Sequence, residues 1–138
     1  MVSLYSFKDE NSTEMKFKID TKEVFHVITI EEKDLSANMA AILMQVIDNK
    51  QQEDLKNLVL NFKEVQTIDP TFTDLLETIR DTQYGQQKSF VVCEMSANVK
   101  DQLKIDNGFE RFHVTPTESE AWDIVQMEEI ERELGLDI

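Results

Sequence analysis

The chain has 138 residues, of which 41% are hydrophobic and 30% charged, and it carries a formal net charge of −14. This is the length of one domain with a sizeable core, and the composition favours a folded globular chain over a disordered one. The acidic excess argues against nucleic-acid binding, which needs clustered Lys and Arg, and against docking on anionic lipid.

One cysteine leaves no intramolecular disulfide framework and no Cys-rich metal site. No apolar run approaches the ~18 residues of a membrane span. The stretch from Met1 to Glu10 lacks the basic start and apolar core of a secretory signal, so the cytoplasm is the expected compartment.

Residues 1–14 read as an N-terminal extension or an extra strand, ahead of a single domain over residues 15–138. From Met15 to Asp20 apolar and polar residues alternate, with Met15, Phe17 and Ile19 on one face and Lys16 and Lys18 on the other, as in an exposed or edge strand. Val24 to Ile30 is nearly continuously apolar and β-branched, which predicts a central strand covered on both faces. Helical periodicity follows from Ser36 to Asn49, with Met39, Ile42, Leu43, Val46 and Ile47 on one side. The polar run from Asn49 to Asp54 returns the chain to the sheet, and Leu58 to Phe62 is the next buried strand.

Phe72, Leu75, Leu76 and Ile79 then fall at i, i+3, i+4 and i+7, the apolar face of a helix that ends at Tyr84 and Gly85. Thr73, Asp74, Glu77, Thr78 and Arg80 form its polar face. Phe90 to Cys93 is a fourth strand, and Ser96 caps a short helix through Lys104. Asn107 and Gly108 tolerate the left-handed conformation at a helix end. Phe112 to Thr115 is a short fifth strand, and the capping box from Thr117 to Glu120 opens the last helix. That helix turns Ala121, Ile124 and Val125 to the core, while its acidic part from Met127 to Glu133 is expected to project into solvent.

Alternating strands and helices predict an α/β fold. The expected architecture is a mixed, mainly parallel sheet of four or five strands, an antiparallel opening pair joined at Thr21 and Lys22, and about four helices.

The block from Leu58 to Glu77, a strand, a turn and a helix start, resembles the signature of the sulfate-transporter and anti-sigma-factor antagonist domain, or STAS domain. A second block runs from Val91 to Phe112 and on through Thr117 to Trp122; Ser96, Val99, Leu103, Gly108, Phe109, Phe112, Glu120 and Ala121 stand at positions similar to that pattern. The resemblance covers about residues 15–134 and rests on order and spacing rather than on any one motif. It implies a STAS-like fold and a role in regulation through a protein partner. In the family the turn reads Asp-Ser-Ser/Thr-Gly and the first hydroxyl after the Asp is phosphorylated by a kinase. Here Asp69 is followed by Pro70, which has no hydroxyl, Phe72 stands where the family has Gly, and Asn61 replaces the Asp that usually ends the strand.

Asp69 as N-cap with Pro70 at the first helical position fully explains that pair in local terms. The resemblance adds that the same helix start is a partner-docking surface, made of Asp69, Pro70, Thr71, Phe72, Thr73 and Asp74, with Ser96 nearby. Thr71 is the one candidate for phosphorylation, although absence of regulated phosphorylation is the expectation. Phe72 reads as a core residue of the apolar stripe, with an exposed docking aromatic as the sharper alternative.

Cys93, within an apolar strand, reads as an inert buried thiol, and His26 and His113 as structural histidines without metal-ligand spacing. The acidic pairs Glu31–Glu32 and Glu128–Glu129 read as solvated surface. No Gly-x-Gly-x-x-Gly or Gly-Lys-Ser/Thr loop is present to cradle a phosphate. A receiver-type domain is the rival fold, but Asn61 occupies the strand-end position where it needs an Asp. No catalytic residues, cofactor or metal site are therefore expected. The implied partners are a serine-kinase-type anti-sigma factor or other STAS proteins. The alternatives are an accessory subunit of a membrane transport complex and a small-ligand or nucleotide-binding sensor.

Overall fold

The computed structural model describes residues 2–8, 13–53 and 56–136. Met1, residues 9–12 of the N-terminal segment, and Asp54 of the polar run lie outside the described residues, as do residues 137 and 138.

Strands β1 (Val2–Lys8), β2 (Glu14–Thr21) and β3 (Phe25–Ile30) form an antiparallel meander, and β5 (Asn57–Asn61), β7 (Phe90–Cys93) and β8 (His113–Thr115) continue the sheet in parallel. The order is β1-β2-β3-β5-β7-β8. The mixed, mainly parallel plan is the expected one, and β1 makes the sheet six strands wide. A separate parallel pair, β4 (Asp34–Leu35) and β6 (Thr67–Ile68), lies where the chain leaves the main sheet. The helices are α1 (Ala37–Gln52), α2 (Pro70–Gly85), α3 (Ala97–Ile105), the single turn α4 (Gly108–Arg111) and α5 (Glu118–Glu133). Because α1 runs to Gln52, the polar stretch after Asn49 begins as helix rather than loop.

Period-2 alternation in β2 appears directly as buried Met15, Phe17 and Ile19 between more exposed neighbours. Every residue of β3, β5 and β7 is buried, because helices cover both faces of the sheet. On one face Ile28, Ile30, Leu58, Leu60, Phe90 and Val92 pack with α1, α2 and α3. On the other, Phe25, Val27, Val59, Val91 and Cys93 pack with Ala121 and Val125 of α5. Cys93 is fully buried, and that burial pushes its thiol pKa up to about 12, so it is no nucleophile at neutral pH.

Asn107 takes the left-handed conformation at φ 55°, as its position at the end of α3 requires. Gly108 is needed for a different reason: a Cβ there would lie 2.6 Å from Leu103 Cδ2. The glycine lets α4 close tightly onto α3.

His26 is buried, with Nδ1 2.9 Å from Thr21 Oγ1. Burial first, then the charges of Lys50 and Lys56, hold its pKa below the ordinary 6.5. Above that value both folded and unfolded chains are neutral at this site. As pH falls below it, the unfolded chain takes up the proton first, so the fold loses stability down to the lowered folded pKa. The urea midpoint is therefore expected to drop between about pH 7.5 and 5.5, and His26→Gln to flatten that slope. A wild-type slope in His26→Gln would show that His26 is not the responsible group.

Candidate functional site

Parallel strands β5 and β7 end side by side, and the chain leaves each to start a helix. After β5, the turn through Val65 and the strand β6 deliver Asp69 to the start of α2. Asp69 is extended (φ −71°, ψ 144°) and caps the helix, its Oδ1 accepting from Thr71 N at 3.0 Å and from Thr71 Oγ1 at 2.8 Å. These bonds hold the Asp69 carboxyl below the usual carboxylate range. Pro70 fills the first helical position, where no backbone N–H is required.

After β7, Glu94 adopts a left-handed conformation (φ 56°) and Ser96 caps α3, its Oγ accepting from Val99 N at 3.2 Å. Side chains of α3 grip the approach to α2. Gln102 takes the Ile68 N–H at 3.1 Å and donates to the Ile68 carbonyl at 3.1 Å, while Asn98 donates to the Gln66 carbonyl at 2.9 Å. The Ser96 helix start and the Asp69 helix start are thereby held on one edge of the sheet.

The residues expected to dock a partner divide into two groups. Pro70, Thr71 and Asp74 are exposed, and Asp69 and Ser96 are half-buried. Phe72 and Thr73 present no surface: they are 0% and 1% exposed. Their assignment to the docking surface is corrected accordingly, and the core reading of Phe72 holds. Its ring joins the main core, at the position where the family pattern has Gly. Thr73 leaves the polar face of α2: it is 1% exposed, and its hydroxyl donates to Asp106 Oδ2, just past the end of α3, at 3.2 Å. Asp74 meets Arg111 of α4 at 2.7 Å, and Arg111 also bonds Glu77. These two partners raise the already high pKa of the guanidinium, which holds charge at the rim.

Sequence reasoning did not find the grip of Gln102 and Asn98, nor Arg111, since isolated polar residues on short helices carry no pattern. It also missed a depression of about 300 Å³ beside this edge, lined by Glu31, Glu32, Lys33, Lys63, Glu64 and Gln66 from the turns that follow β3 and β5.

Asn61, the departure at the strand end, has a local explanation. Its amide donates to Glu94 Oε2 at 3.3 Å and Glu118 Oε1 at 3.0 Å, and its carbonyl accepts from Lys63 N at 2.9 Å. An Asp here would place a third carboxylate against two others and could not donate to either. The amide satisfies both.

The acidic end of α5 is also corrected. Glu128 is only 7% exposed. Its Oε1 accepts from Tyr84 Oη at 2.7 Å and from Ser89 Oγ at 2.5 Å, and its Oε2 lies 3.6 Å from His113 Nε2. Arg132, mostly buried, donates to Ser89 Oγ at 2.8 Å and to Glu129 Oε1 at 3.2 Å. Burial and the Glu128 carboxylate raise the Tyr84 hydroxyl pKa, keeping it a neutral donor. This network joins α2 and α5, which pack on opposite faces of the sheet.

No protein-family model matches the sequence, and no curated protein matches it. Solved structures do match the fold. An anti-sigma factor antagonist from Mycobacterium paratuberculosis superposes with TM-score 0.71 at 15% identity, covering 87% of this chain and 99% of that one. A candidate anti-sigma factor antagonist from Thermotoga maritima gives 0.69 at 16% identity over 80% and 94% of the two chains. The fold is that of the STAS domain. The anti-sigma factor antagonist SpoIIAA in its unphosphorylated form shares this STAS fold at TM-score 0.64 and 14% identity, over 88% of this chain and 99% of its own.

Among the described residues no helix is long and apolar enough to cross a membrane, and no group of three His, Cys, Asp or Glu could hold a metal ion.

Proposed function

We propose that this STAS-fold chain is a non-enzymatic regulatory module that binds a protein partner at the start of α2, and that it works without the family's serine switch. The observation that carries this reading is the exposed Pro70–Thr71 step at a capped helix start, flanked by Asp69 and exposed Asp74. The first position after the capping Asp has no oxygen to phosphorylate. The second has one, but Thr71 Oγ1 already donates to Asp69 Oδ1 at 2.8 Å. A phosphate there would add about −1.5 to −2 charges beside two carboxylates.

The partner proposed is a serine-kinase-type anti-sigma factor or another STAS-fold protein, engaged constitutively. A binding titration of the purified chain against such a partner tests this. Thr71→Glu is expected to weaken binding at least about tenfold, equivalent to ~1.4 kcal/mol, while the urea midpoint stays that of wild type. Thr71→Ala should bind normally, and kinase with labelled ATP should leave the wild type unlabelled. Wild-type affinity in Thr71→Glu would move the docking surface elsewhere, and stoichiometric labelling at Thr71 would restore the switch.

A further inference from the structure

At the opposite end of the parallel strands from α2's start, the turn between β2 and β3 and the helix α5 enclose an open groove of about 510 Å³. Its floor is apolar. Val24 and Trp122 are half-buried, and the Phe25 and Trp122 rings pack 5.3 Å apart at 60°. Ile130, 56% exposed, forms one wall, and Leu134, one turn further on, is 69% exposed, so the apolar surface continues along the helix. Val24, Trp122 and Ile130 thus leave apolar surface open within a charged rim.

The rim is acidic. Glu23 stands on the turn, and Glu129 and Glu133 on α5, against a single Lys22. Glu129 is neutralised by Arg132 and held by Asn57 at 2.8 Å. Glu23 and Glu133 are exposed and have no ion-pair partner among the described residues. The Lys22 ammonium lies 5.0 Å over the Trp122 ring and 3.0 Å from Asp20, so one cation of the chain itself already rests on the aromatic floor. The wall from Gln126 through Glu129 and Ile130 to Glu133 runs about 10 Å along α5, a length suited to a few residues of extended chain.

We propose that this groove docks a basic polypeptide segment, with an apolar side chain seated on Trp122 and Phe25 and Lys or Arg side chains between Glu23 and Glu133. The site is separate from the α2 surface and does not depend on it. Opposite charge supplies steering and an apolar anchor supplies the contact energy, as in other peptide grooves.

Trp122 is the single tryptophan of the chain, so its emission reports this groove directly. The test is a fluorescence titration with a synthetic peptide of alternating Arg and Leu, set beside its Glu/Leu and Arg/Ser counterparts. The Arg/Leu peptide should give a saturable change in Trp122 emission that weakens with added salt. Both counterparts should bind at least tenfold more weakly. The surface variant combining Glu23→Lys and Glu133→Lys should lose at least tenfold in affinity, and Thr71→Glu should lose nothing. The proposal is overturned by equal affinity in the double variant, by an equal response to the Glu/Leu peptide, or by no saturable change. Octylammonium matching the Arg/Leu peptide would overturn the polypeptide assignment.

Discussion

Phe72→Ala is expected to cost about 3–5 kcal/mol of unfolding free energy, a large share of the ~5–15 kcal/mol available to a domain. The ring is 0% exposed and belongs to the main core cluster, although it sits in the first turn of α2 beside exposed Pro70 and Thr71. Truncation removes the buried ring and leaves a cavity that rigid neighbours fill only in part. Urea denaturation followed by far-UV circular dichroism measures the loss, with Phe72→Leu expected to retain most of the stability. A cost below about 1 kcal/mol would mean the ring is not packed as described. The consequence for function is direct. Lost partner binding in Phe72→Ala would report a loosened helix start, whereas Thr71→Glu probes the surface alone.

The second large effect is expected at Glu128. Glu128→Ala should destabilise the fold by about 3–5 kcal/mol, because it strands three groups at once. The Tyr84 and Ser89 hydroxyls lose their acceptor, and the Arg132 guanidinium, whose side chain is 11% exposed, loses a neighbouring carboxylate at 4.0 Å. Glu128→Gln keeps an acceptor oxygen and is expected to cost distinctly less, about 1–2 kcal/mol. Equal costs for Ala and Gln would show that charge, not hydrogen bonding, dominates. A negligible cost for Ala would mean that water takes the place of the carboxylate. Since the network joins helices on opposite faces of the sheet, its loss should lower the cooperativity of unfolding as well as the midpoint.

The features legible in the chain before folding are those written in consecutive residues. The alternation at Met15, Phe17 and Ile19 and the continuous apolar runs of β3, β5 and β7 specify strand type, because burial on one face or two changes the local pattern. Asp69-Pro70, Ser96 and Thr117 specify helix starts, because a cap acts on N–H groups two or three residues away.

The remaining features depend on contacts between segments far apart in the chain. Thr73 reads as polar surface until folding buries it and Asp106, just past the end of α3, takes its hydroxyl. Glu128 reads as one acid among many until Tyr84 and Ser89, 44 and 39 residues away in the chain, converge on it. Asn61 looks like a lost acid until Glu94 and Glu118 arrive from two other segments and make an amide the better-suited side chain. A polar residue's environment depends on partners distant in sequence, which no local periodicity encodes, and its burial is tolerated only when those partners are in place.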